Sequence, residues 1–187
     1  MKYKCLKEKT FKNGEYTIEA VQPEHIEKIR QWRNKQMDVL RQTHAISREE
    51  QIEYFKNNVW LEMGKNQPDK ILLSIKIKGK LIGYGGLVYI SWDNKRAELS
   101  FIIDPSLVLN TKSYNNIFSV YLKMINKVAF KNLGLKRLFT ETYDFRKEHI
   151  NILEKNGFIK EGRLRNHIIH EGERIDSIIH GVIDDEI

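Results

Sequence analysis

The chain has 187 residues, 41% hydrophobic and 30% charged, enough apolar side chains for one domain's core and too charged for a membrane protein. No window approaches 18 uncharged apolar residues, the charged N-terminus has no secretory pattern, and one cysteine, Cys5, excludes an internal disulfide or a cysteine-rich metal site, so a cytoplasmic protein is expected. The 32 Lys and Arg against 25 acids give +7, which favours an anionic partner, but they are spread along the chain with no continuous nucleic-acid stripe.

Residues 1–14 are expected to fray within a single domain spanning 1–187. Tyr16–Val21 alternates and reads as a first strand. Pro23-Glu24 opens a helix with Ile26, Ile29 and Trp32 on one face. Ser47 with Glu50 three places on forms a capping box for a second helix, whose apolar positions are Ile52, Phe55 and Val59. Ile71–Ile77, Lys80–Ile90 and Arg96–Ile103 read as consecutive strands, with a tight turn at Lys78-Gly79-Lys80. A loop over Asp104–Ser113 leads to a long helix, Tyr114–Asn132, stopped by Gly134. A strand at Leu135–Thr142, a helix at Arg146–Lys155, and an antiparallel pair, Phe158–Arg163 with Ile175–Ile183, close the chain. This order predicts an α+β fold with a mixed, mostly antiparallel sheet and helices packed on it.

Three segments carry a family resemblance. Leu153-Glu-Lys-Asn-Gly-Phe-Ile-Lys-Glu-Gly-Arg-Leu-Arg165, with Gly172 and Asp176 after it, is similar to the closing signature of the ribosomal-protein alanine acetyltransferase branch of the GNAT superfamily. Leu81–Leu87 leading into Arg96–Asp104 resembles that branch's central hairpin. Ile29-Arg-Gln-Trp-Arg-Asn34 resembles a helix of GNAT enzymes that acetylate nucleotide-linked amino sugars. The resemblance covers residues 15–183. It implies central strands that splay apart, helices on both faces of the sheet, and acetyl-CoA as co-substrate with no metal.

On that resemblance, Phe101, Ile102 and Ile103 line the pantetheine, and the diphosphate sits at the start of the long helix, where free amides and the dipole favour an anion. Asn110, Thr111, Lys112, Ser113, Tyr114, Asn115 and Asn116 are the candidate contacts there. The family's glycines are missing from this loop, and the asparagines are expected to compensate by entering left-handed conformations. Read without the family, the segment is a polar loop with Ser113 as N-cap. Arg146 and His149 stand where the family has an Asn and a small residue, and His149 is counted with the cofactor contacts.

Amide formation needs a neutral amine, so Glu98 is the expected base and Glu141 the second candidate; the alternative for Glu98 is a cross-strand partner of Arg96 or Lys95. Leu153 stands at the family's usual tyrosine, which leaves Tyr143 or His149 as donor to the leaving thiolate. Arg30, Trp32, Arg33 and Asn34 are the candidate acceptor contacts, since arginine binds phosphate and tryptophan stacks on rings; Trp32 equally has the spacing of a core residue. Arg41 and His44 follow as weaker candidates. His25, His167, His170 and His180 form no metal constellation, and Cys5 has no base partner.

The resulting expectation is an acetyl-CoA-dependent N-acetyltransferase acting on a primary amine of a small molecule, preferably a nucleotide-linked amino sugar, as monomer or homodimer. The alternatives are a protein N-terminus or another small amine as acceptor, or a degenerate member that binds coenzyme A without turnover. The positive charge mildly disfavours polyamines.

Overall fold

Residues 1–14 do not fray. In the computed structural model, which describes residues 1–186, Tyr3 is buried and its hydroxyl accepts from the Leu72 amide at 2.8 Å. Thr10–Asn13 forms a strand, β1, that pairs antiparallel with β2 (Tyr16–Ala20). A buried aromatic at position 3 holds this end of the chain, which its abundant lysines do not suggest.

The helices α1 (Ile26–Asn34) and α2 (Arg48–Tyr54) come next. On α1, Ile29 and Trp32 are buried, as the three-residue spacing requires. Ser47 caps α2 through the Glu50 amide, and the Glu50 carboxylate accepts from the Ser47 amide. The stripe on α2 is shifted: Ile52 is exposed and Gln51 is buried, its amide donating to the Ile26 carbonyl. A wide turn over Phe55–Val59 then puts Phe55 and Val59 in the core.

Strands β3 (Ile71–Ile77), β4 (Lys80–Ser91) and β5 (Arg96–Ile103) form an antiparallel meander. Lys78 and Gly79 both have positive φ, the geometry of a two-residue hairpin turn. The long helix begins earlier than the hydrophobic stripe suggests. A short α3 (Pro105–Val108) and a cap at Asn110 precede α4 (Thr111–Asn126), and a wide turn over Lys127–Asn132 ends it. Then follow β6 (Arg137–Tyr143), α5 (Lys147–Lys155), β7 (Ile159–His170) and β8 (Glu173–Ile183), the last two longer than their apolar cores.

All eight strands join one sheet in the order β1-β2-β3-β4-β5-β6-β8-β7. Every neighbouring pair is antiparallel except β5 with β6, so the fold is a mixed α+β sheet with helices. Among the described residues no helix is long and apolar enough to cross a membrane.

Candidate active site

The single parallel pairing is also the shortest on the central strands. β5 meets β6 only at Arg96–Glu98 against Arg137–Phe139, while β6 stays paired with β8 along its length. From Leu99 onward no strand among the described residues lies beside the outer edge of β5. A cleft opens there, and two cavities occupy it, of about 700 Å³ and about 390 Å³. Both are lined by Phe101, Arg146 and His149, so they meet at one point.

The smaller cavity runs along Phe101, Ile102 and Ile103 to Thr111 and Tyr114 of α4, with the start of α5 opposite. Ile102 and Ile103 are buried, and exposed Leu109 gives the groove an apolar rim. α4 points its N-terminus here, with Asn110 as cap: the Asn110 side chain accepts from the Ser113 amide at 2.9 Å. Ser113 is therefore the capped residue, not the cap. The expected left-handed asparagines are absent. No residue from 104 to 116 has positive φ, because the glycine-free segment folds as a helical turn. Asn115 instead binds the Thr111 carbonyl and Glu148, and Asn116 binds the Tyr16 hydroxyl. Lys112 and Ser113 belong to the first turn of α4 but not to the groove's lining. An apolar trough ending at the first-turn amides of a helix suits a long thiol carrier with a diphosphate, and coenzyme A fits that description.

The larger cavity lies on the other side of the junction and takes in Arg33, Arg41, Glu98, Glu141 and Tyr143. Arg33 donates to the Tyr84 hydroxyl at 2.8 Å and to Gln42 at 3.1 Å. Among the described residues no carboxylate pairs with it. The other three expected acceptor residues lie elsewhere. Trp32 is 3% exposed and has no free face to stack on a ligand. Arg30 pairs with Glu27 and donates to the Ile46 carbonyl, while Asn34 both donates to and accepts from the Ile46 backbone. These two side chains brace the segment leading to α2. Tyr89, which sequence reasoning missed, also lines this cavity; a bulge in β4 gives it a φ of 49° and leaves it exposed.

Glu98 and Glu141 stand where the strands part, with side chains 12% and 13% exposed. Arg41 Nη2 donates to both, at 2.9 and 2.7 Å. Glu98 therefore partners Arg41 rather than Arg96 or Lys95. Tyr143 is nearly buried, and burial, followed by the neighbouring Glu141, pushes its hydroxyl pKa up, so it remains protonated. His149 is stacked on Phe118 with ring centroids 4.2 Å apart, and its Nδ1 lies 2.6 Å from the Tyr114 hydroxyl. Burial first, then the Arg146 charge, holds its pKa well below the ordinary range. The ring is neutral, and Tyr114, whose own pKa burial raises, donates to Nδ1. His44 is exposed beside Glu50, away from the cleft's carboxylates. Burial also pushes the Cys5 thiol up to about 11, leaving no thiolate at neutral pH.

The acetyltransferase (GNAT) domain family model matches residues 18–179. Among solved structures, the spermidine N-acetyltransferase from Vibrio cholerae in complex with CoA and spermine aligns with a TM-score of 0.79 at 18% identity, covering 93% of this chain and 98% of that one. The dodecameric form of the same Vibrio cholerae enzyme in an intermediate state aligns with a TM-score of 0.75 at 17% identity, covering 92% and 96%. A structure described as a probable acetyltransferase aligns with a TM-score of 0.70 at 17% identity, covering 95% and 98%. At these identities the likeness is one of fold.

Proposed function

The chain belongs to the GNAT acetyltransferase family, and from that premise we propose that it moves the acetyl group of acetyl-CoA onto a primary amine of a small molecule carrying an anionic group, with a nucleotide-linked amino sugar as the favoured acceptor. The observation that carries this reading is the meeting of two cavities at Phe101 and His149, beside the point where β5 leaves β6. A thioester in the smaller cavity and an amine in the larger would face each other there. Fixing two reactants side by side is worth on the order of 7–11 kcal/mol in favourable cases.

In this reading Glu98 takes the proton from the acceptor's ammonium, directly or through one water. The freed nitrogen attacks the thioester carbonyl, the C–N bond forms, the C–S bond breaks, Tyr143 protonates the departing thiolate, and the proton that the acylated nitrogen sheds restores the Tyr143 hydroxyl. A backbone amide of Phe101–Ile103 faces the oxygen that becomes negative in the transition state. Tyr114 and His149 form the floor between the two substrates.

The acceptor class follows from charge. Arg33 is half-buried and has no counter-ion among the described residues, which makes it a receptor for phosphate or carboxylate. The acidic side chains in the same cavity are already engaged: Glu98 and Glu141 by Arg41, Glu62 and Asp69 by Lys65. Beyond the one ammonium that Glu98 receives, the further charges of a polycation such as the spermidine of the Vibrio cholerae enzyme would find few free carboxylates.

The test is thiol release from acetyl-CoA across a panel holding nucleotide-linked amino sugars, amino-sugar phosphates, an alanine-ending peptide and spermidine. The expected result is turnover with the anionic amino sugars, lost on Arg33→Ala mainly through a higher acceptor KM. Best turnover with spermidine, unaffected by that substitution, would replace the acceptor assignment. Stabilisation by acetyl-CoA with no turnover on any amine would replace the enzyme reading with a binding one.

A further inference from the structure

Among the described residues, every side-chain hydrogen bond of Arg41 leaves its own segment. Its hydrogen-bond partners are Glu98, 57 residues away on β5, and Glu141, 100 residues away on β6. The segment that carries it is fastened at its base: Asn34 grips the Ile46 backbone and the Gln42 amide, and Arg30 adds a bond to the Ile46 carbonyl. The Arg41 side chain reaches into the cleft beside Val39 and Leu40, and one of its nitrogens bridges both carboxylates. Those carboxylates are largely shielded from water, whereas the Arg41 side chain is 48% exposed.

Two shielded carboxylates within reach of a single nitrogen repel each other unless a cation sits between them. The guanidinium supplies that cation in the empty protein. It does so at the atoms that must receive the acceptor's ammonium if Glu98 is the base. We propose that Arg41 is an internal stand-in for the acceptor's amine: it closes the amine subsite when the site is empty, yields to the ammonium of an incoming acceptor, and returns when acetylation has removed that charge. This rests on reading the larger cavity as the amine site.

The chemistry gives the exchange a direction. An alkylammonium carries the same unit charge as the guanidinium and offers three donors, so it can replace Arg41 between Glu98 and Glu141. After the proton has left through Glu98 and the amide has formed, the product holds no positive charge at this subsite. It cannot balance two carboxylates. Arg41 can, and its return displaces the product. The exposed face of the guanidinium lets it swing out into water without breaking any other bond. The device also sets a specificity: an acceptor must be cationic when it arrives, so an alcohol of the same shape is refused.

Calorimetric titration with n-butylammonium, in the absence of acetyl-CoA, tests this apart from catalysis. Arg41→Gln should bind n-butylammonium at least ten-fold more tightly than the natural protein, because the guanidinium that bridges both carboxylates no longer competes; His167, 3.4 Å from Glu141, stays in both proteins. N-butylacetamide, which has no charge, should gain nothing. Adding Glu98→Gln and Glu141→Gln to Arg41→Gln should abolish the gain. Equal or weaker binding by Arg41→Gln, or a gain that survives loss of both carboxylates, overturns the proposal. Should Arg41→Gln fail to fold, a crystal of the natural protein soaked in n-butylammonium decides: an ammonium between the carboxylates with Arg41 turned outward supports it, and an unmoved Arg41 overturns it. Failure of the transferase reading shows separately, as absence of thiol release with every amine.

Discussion

Glu98 has to act on an amine that is almost wholly protonated at neutral pH, since alkylammonium groups titrate near pH 10. Glu98→Gln keeps the size and removes the base, so kcat/KM should fall about 10²-fold or more near pH 7. The deficit should shrink towards pH 10, where free amine no longer needs a base. A thiol-release profile from pH 6 to 10 checks this, and a loss of equal size at every pH would assign Glu98 a binding role instead. The position of Glu98 is legible in the sequence because it stands near the start of a strand that the family resemblance marks, just before the largely apolar run Leu99–Ile103. Arg41 is not legible in that way: its two partners lie far along the chain, and only the pairing of β5 with β6 brings them together. Arg30 and Asn34 were candidate ligand contacts because a helix position alone does not say whether it meets a pocket or a loop. Arg30 does carry a local signal, the acidic Glu27 three residues before it, which marks an intrahelical ion pair.

Elements whose signals lie within a few residues came through the sequence intact. The Ser47–Glu50 capping box is one, both of its hydrogen bonds being present. Ser47→Ala should cost about 1 kcal/mol, seen as a melting temperature lower by about 2–4 °C for a chain of this size; an unchanged melting temperature would make the box energetically idle. The apolar stripe of α4 starts too late to reveal its cap: Ser113 reads as the N-cap, whereas Asn110, three residues earlier, takes that place. The β1 strand went unseen because its partner, not its composition, makes it a strand. A glycine in β4 marks a closer approach than the strand pattern reveals. Gly86 has a φ of 141°, and a Cβ there would lie 1.9 Å from the Ile71 carbonyl oxygen of the neighbouring strand. Neither backbone can yield without opening the β3–β4 ladder. Gly86→Ala should therefore cost at least about 3 kcal/mol, read as a melting temperature lower by about 6–12 °C. A change below about 2 °C would mean that the strands can part cheaply.

At the scale of the whole molecule, the buried histidines and the paired carboxylates set how the fold responds to acid. Burial is the leading cause that lowers the pKa of His25, His149 and His180 below the ordinary value of 6.5. The unfolded chain binds protons at these sites that the native state refuses, so stability is full above about pH 6.5 and falls as the pH drops below it. The carboxylates act lower. Arg30 and Gln31 hold Glu27 at about 2, and Lys147, Arg137 and the Asn166 amide lead in lowering Asp144, Glu161 and Asp176. Their share of stability is present above the unfolded carboxylate range and is lost as the pH falls through about 4. Thermal melts from pH 8 to pH 3 should show two successive declines, the first starting near pH 6.5. His180 isolates the first. It is fully buried, and among the described residues neither ring nitrogen has a hydrogen-bond partner; the Glu154 carboxylate stands 3.5 Å away. An apolar residue there forfeits no bond and removes an unsatisfied group. His180→Leu should accordingly hold or raise the melting temperature at pH 8 and flatten the decline between pH 6.5 and 5. If that decline stays as steep as in the natural protein, the acid response belongs to His25 and His149, on α1's flank and at the cleft.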